Sequence, residues 1–328
     1  MPPTLSLWVK NTMNPQRTFP FYLHLTSSLI CPYQKYVTAM FNYPLYPALY
    51  NGFGYTNASL APIPSTAQSN NQSGCTDSGL LGTFIENADL SRFWNETSDP
   101  TLGKNAIAYV ILAEGIPFVY FGFETLSNGA YPNYNRDPLW PAGWQATDMS
   151  NFVGTLNKFR NGVINKDGDI YLKGGMLFVY SAGNAVVFQR GPVLVFLTNG
   201  GSEAANFQIE TEKTNYEQGT VLTEIVSGGN VTVGSQGVVS VTITKGMPQV
   251  YYPASEYVSV TTTTMVTPLT PISTGLGGPS ASISANPNSN SSSSGKKSSA
   301  SGRMGGEIHM WLGIFTIFAA ALGGLMVL

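Results

Sequence analysis

The chain has two histidines, His24 near one end and His309 near the other, so its body holds no imidazole for a triad, a zinc site or a general base. Acid–base chemistry therefore falls to carboxylates. One carboxylate of interest is Asp89, in the segment GTFIENADLSRF from Gly82 to Phe93, just after the strand-like run Leu80 to Ile85. On residue type alone, an Asp after a strand is more often a turn or cap residue than a catalytic one. Cys31 and Cys75 are the two cysteines. They fit one disulfide in an oxidising compartment or two unrelated buried thiols, and the count leaves both open.

The 328 residues are 43% apolar, enough for a sizeable core, so the chain is not disordered throughout. With 10% charged residues and a formal net charge of -2, it lacks the basic surface that nucleic-acid binding needs. From Met310 to Leu328 runs an uncharged apolar stretch of membrane-spanning length, preceded by a short polar spacer and the small residues Ser299, Ala300 and Ser301. That order is expected of a GPI signal, with attachment assigned to Ser299, a membrane partner through the anchor and a cell-surface or cell-wall location. Sequons at Asn57, Asn71, Asn95, Asn230 and Asn290 fit passage through the ER as N-glycosylation sites. Residues 1–30 stay unassigned: they have no continuous apolar core of the signal-peptide kind. A GPI signal needs ER entry, so a start of translation further upstream is expected.

Several elements are needed to position Asp89. Between Cys31 and about Asn165, apolar runs alternate with helical patterns, which argues for βα units and a parallel sheet. Asp99 and Pro100 open a helix over 101–114, and Gly115 and Pro117 stop it. The run IPFVYF at 116–121 is suited to a strand covered on both faces. A second helix carries Phe152, Leu156, Phe159 and Val163 on one stripe. From Gly174 the period becomes two, with seven strand-like runs ending near Pro253. Residues 256–304 are a Ser/Thr-rich stretch that reads as a disordered stalk. The expected organisation is thus a barrel part over 31–165, an antiparallel β domain over 170–253, the stalk over 256–304 and the tail over 310–328.

Four segments in order resemble the fungal-type α-amylase family. CPYQKYVTAMFNYPLYPAL at 31–49 is similar to its sixth-strand region, and GTFIENADLSRF to its seventh, with Phe84, Asn87 and Asp89 matching. GIPFVYFGFE at 115–124 is similar to the eighth strand, and NYNRDPLW at 133–140 to the substrate-side loop after it. The resemblance implies an α/β fold: the carboxy-terminal portion of a (β/α)8 TIM barrel, about strands six to eight, followed by an antiparallel β-sandwich-like domain. It also places Cys31 and Cys75 where the family has a disulfide, and Ser227 where the family has a further cysteine.

The activity the resemblance implies is retaining chemistry on an α-1,4-glucan or maltooligosaccharide, in which Asp89 stabilises the transition state. The family's nucleophile and acid/base follow strands four and five, which residues 31–165 do not include, so the chain alone is expected to be inactive. Asn87, Ala88 and Arg136 are the implied substrate-binding positions. Ala88 stands where the family has a histidine, which favours a 4-α-glucanotransferase of the GPI-anchored subgroup over a plain hydrolase. Tyr131 stands where an Asp is usual. Neither metal nor cofactor is assigned to this chain, with calcium reserved for a full-length form. The alternative to an enzyme is a non-catalytic surface-anchored remnant.

Overall fold

The computed structural model describes residues 27–72, 75–130, 134–143 and 145–256. Its first part runs α1 (Ser27–Ile30), β1 (Met40–Phe41), α2 (Tyr46–Gly54), α3 (Pro62–Gln72), β2 (Leu81–Thr83), α4 (Pro100–Leu112), β3 (Ile116–Pro117) and α5 (Asp148–Lys173). The three strands form a parallel sheet in chain order, with Met40 opposite Leu81 and Gly82 opposite Ile116. This is the carboxy-terminal portion of a βα barrel. Eight strands follow: β4 (Met176–Ala182), β5 (Ala185–Arg190), β6 (Val193–Thr198), β7 (Phe207–Glu210), β8 (Val221–Glu224), β9 (Asn230–Thr232), β10 (Ser240–Ile243) and β11 (Gln249–Pro253). They make a six-stranded antiparallel sheet, β4-β5-β6-β11-β8-β9, and a separate β7–β10 pair.

Local chemistry explains where the helices begin. The Asp99 carboxylate accepts from the Thr101 amide at 2.8 Å, with Pro100 in the first turn. Thr147 and Ser150 form a reciprocal capping box at the start of α5. Several boundaries differ from the sequence reading. The paired part of the 116–121 run is Ile116 and Pro117, because its neighbour β2 ends at Thr83; one further bond joins the Phe118 amide to the Thr83 carbonyl at 2.8 Å. Helix α5 does not stop near 165 but continues to Lys173 across a non-helical residue, Asp167, so position 170 lies in helix and the β domain begins at Met176. The strand Phe207–Glu210 was missed, since FQIE is too short to show a period. Beyond residue 256, the stalk, Asn290, Ser299 and the apolar tail lie outside the described residues, as do Tyr131 and residues 1–26.

Packing turns on β5 and β6, which are buried along their whole length. Val186, Phe188, Val193, Val195 and Leu197 join the core of α2, α4 and α5, whereas Ala185, Val187, Leu194 and Phe196 face Ile209, Val241 and Ile243 of the β7–β10 pair. Alternation across a strand thus feeds two cores from one pair of strands.

Three buried polar residues seal the seam between the helices and the β domain. Asn105 on α4 donates to the carbonyls of Thr101 and Gly246, each at 2.8 Å, and accepts from the Thr198 amide at 2.8 Å. Asn199 donates to the carbonyls of Gly52, Tyr55 and Ala58 at the end of α2. Arg190 donates to the Ala113 carbonyl at the carboxy-terminal end of α4, where unpaired carbonyls and the helix dipole favour a cation, and stacks 4.4 Å over Tyr171. Replacing Asn105 by Ala strands the Gly246 carbonyl and the Thr198 amide, and should lower the unfolding free energy by about 2–4 kcal/mol. Denaturant unfolding checks this, and a loss below about 0.5 kcal/mol would show that the seam relaxes around the gap.

Candidate active site

The candidate site lies at the carboxy-terminal ends of the parallel strands, where βα loops of a barrel carry chemistry. After β2, Phe84 and Ile85 enter the core, Leu90 and Phe93 return to it, and residues 87–89 stay partly exposed between these anchors. The chain must therefore arch outward at Asp89, whose side chain is 48% exposed.

A buried ion pair closes the base of this arch. Glu86 and Arg92 are in contact at 2.9 Å, with side chains 0% and 1% exposed, and Glu86 also accepts from the Phe93 amide at 2.6 Å. Arg92 also donates to the Phe121 carbonyl and sits 4.2 Å over the Tyr120 ring, so the loop after β3 is tied to the same cation. Burial pushes the Glu86 carboxyl up from an ordinary 4.5 to about 7, against the pull of Arg92 and of the Phe93 amide. Neither residue stood out in the sequence. ENADLSR shows the six-residue spacing, but nothing in it says that both ends are buried.

The arch itself is held by local and long-range bonds. Asn87 accepts from the Asp89 amide at 2.9 Å and donates to the Tyr43 hydroxyl at 3.1 Å, so its carboxamide shapes the turn. From the loop after β3, Arg136 reaches the Asp89 carboxylate at 3.2 Å and the Ala88 carbonyl at 2.9 Å. The structure thus brings Asn87, Ala88, Asp89 and Arg136 together in one constellation. Arg136 is 58% exposed, and its pairing with Asp89 leaves both groups open to solvent. As a carboxylate presented with a guanidinium, the pair can accept and donate hydrogen bonds to hydroxyls.

The other expected residues lie away from it. Cys31 and Cys75 form a disulfide with a Cα–Cα distance of 4.3 Å, packed against Leu81. Asn57, Asn95 and Asn230 are exposed, as acceptors of glycans must be, and Asn71 lies in the last turn of α3. Among the described residues, no cluster of three or more His, Cys, Asp or Glu could hold a metal ion. Among the same residues, no helix is long and apolar enough to cross a membrane.

Residues 178–262 match the family described as Alpha-amylase, domain C. The chain is 37% identical over 230 residues to alpha-amylase 1 of Schwanniomyces occidentalis, covering 69% of this chain and 44% of that protein. It is 34% identical over 226 residues to an alpha-amylase of Saccharomycopsis fibuligera, again covering 44% of it. Among solved structures it is similar to an alpha-amylase from Malbranchea cinnamomea, at 31% identity and a TM-score of 0.69, covering 71% of this chain and 49% of that one. The chain spans about half the length of these relatives or less.

With its folded-state pKa raised, Glu86 contributes stability that is present in full below about pH 4.5 and is lost as pH rises through about 7. Wild type should therefore lose stability across that window relative to Glu86→Gln, as read by thermal denaturation along a pH series. Parallel curves for the two proteins would show that Glu86 ionises at its ordinary pKa.

From its parallel sheet through its β domain, the chain is similar to the carboxy-terminal portion of alpha-amylases, the end of a (β/α)8 barrel followed by an alpha-amylase domain C.

Proposed function

We propose that this chain serves a retaining enzyme acting on α-1,4-glucans, with Asp89 as the carboxylate that stabilises the transition state. The observation that supports this most is the Asp89 carboxylate at the end of a parallel strand, half exposed and met by Arg136 from the next loop. Retaining cleavage uses a nucleophile and an acid/base about 5–5.5 Å apart. In this reading those two carboxylates follow strands four and five of a complete barrel, and the chain by itself does not turn over glucan. Asp89 then accepts hydrogen bonds from hydroxyls of the sugar being cleaved, and these strengthen as oxocarbenium character develops. Arg136 holds a neighbouring part of the glucan.

Ala88 supports transfer over hydrolysis. A methyl group offers no hydrogen bond where a histidine would hold the same sugar, a difference of about 1–3 kcal/mol in a partly desolvated site. The weaker grip leaves time for a sugar acceptor to replace water at the glycosyl-enzyme, as a 4-α-glucanotransferase requires. The apolar tail over 310–328 and the small residue Ser299 support GPI anchoring, and hence work at the cell surface or wall. Calcium is reserved for a full-length form of the protein.

In a form of the protein carrying both further carboxylates, Asp89→Asn should lower maltoheptaose turnover by at least about 10²-fold with an unchanged circular dichroism spectrum. Full activity in that variant would remove Asp89 from the mechanism. Ala88→His should raise the ratio of hydrolysis to transfer, measured as glucose and maltose released against longer products. An unmoved ratio would count against the reading of Ala88.

A further inference from the structure

We infer that Asn135 is a positioning residue for Asp89, an inference that rests on the role proposed for that carboxylate. Asn135 is 1% exposed, in the loop after β3. Its Nδ2 donates to the Ala88 carbonyl at 2.8 Å and to the Leu90 carbonyl at 2.7 Å, the two carbonyls that flank Asp89. A primary amide has two N–H bonds on its nitrogen, one for each acceptor. Turned the other way, the amide would set its oxygen against two carbonyl oxygens, so the orientation is dictated by the chemistry. The Ala88 carbonyl holds the peptide plane that enters Asp89, the Leu90 carbonyl holds the plane one residue beyond it, and with the backbone pinned on both sides the carboxylate leaves the arch in a fixed direction.

Two further observations separate this from ordinary packing. The Asn135 Oδ1 is buried with no partner among the described residues, which a position selected for packing alone would avoid by using an apolar side chain. The backbone is also shaped to bring the clamp close. A Cβ on Gly129 would lie 1.7 Å from the Tyr134 carbonyl oxygen, and the Gly129 carbonyl accepts from the Arg92 amide at 3.0 Å. Gly129 therefore lets the strip carrying Asn135 lie against the strip carrying Asp89. Arg136 and Asn135 divide the work: Arg136 touches the carboxylate itself, and Asn135 holds the backbone beneath it.

The test is amide hydrogen exchange, followed by mass spectrometry, on the full chain and two variants. Asn135→Ala should speed exchange across residues 86–91 by about tenfold while α4 exchanges as before. Asn135→Asp separates a hydrogen-bond role from a space-filling one. Its ionised carboxylate repels both carbonyls, whereas its protonated form donates one bond, so its exchange rate relative to wild type at the same pH should fall as the solution is acidified. Unchanged exchange in Asn135→Ala, or a ratio flat with pH in Asn135→Asp, overturns the clamp. Maltoheptaose binding by calorimetry completes the test, and Asn135→Ala should weaken it as Asp89→Asn does. Binding lost in Asp89→Asn but untouched in Asn135→Ala overturns the positioning role. If neither variant changes binding, the α-glucan reading of Asp89 falls instead, and the exchange result is unaffected.

Discussion

Burial of both faces of β5 and β6 is the constraint on which the rest of the described structure depends. A strand pair with apolar side chains on each face cannot leave either face in water, so it needs a helical layer on one side and a second sheet on the other. The helices α4 and α5 supply the first, and β7 with β10 the second. Helix α4 is itself apolar almost all round, with eleven of its thirteen residues buried between the parallel sheet and the β domain. The β domain is thus part of what keeps the barrel helices out of solvent, and the two parts share one core.

A shared core fixes distance but not register, because apolar contact is non-directional. Direction comes from the polar groups at the seam. Asn105, Asn199 and Arg190 each meet backbone carbonyls from a distant part of the chain, and a small slip would leave several buried groups unpaired at once. The Asn199 Nδ2, with two N–H bonds, lies within hydrogen-bond distance of three carbonyls at and just beyond the end of α2.

The arch carrying Asp89 repeats this arrangement on a smaller scale. Leu90 and Phe93 anchor it by burial, the Glu86–Arg92 pair closes its base, and Asn135 and Arg136 fix its crest. A buried pair of this kind adds little net stability, but losing either partner leaves a charge stranded in the core. A carboxylate whose task is to meet developing charge benefits from such a frame, because a preorganised group does not have to reorganise during the reaction.

The sequence by itself determined the order of elements and the identity of the exposed carboxylate. The capped helix after Asp99 and the change of period near Gly174 could be read directly, because helix caps, strand alternation and turn residues act between near neighbours in the chain, whereas Asp89 stood out through the resemblance of GTFIENADLSRF to the seventh-strand segment of the α-amylase family. The same locality explains the boundaries it misjudged, at Lys173 and at Pro117, where the end of an element depends on what packs or pairs beside it. Only the tertiary structure decided the rest. It chose Glu86 and Arg92 as a buried pair, and brought Asn135 to the Ala88 and Leu90 carbonyls on either side of Asp89, more than forty residues away in the chain. An asparagine before an arginine carries no local signal of that contact. Its role exists because the folded chain lays the loop after β3 across the loop after β2, where a buried amide has two carbonyls within reach.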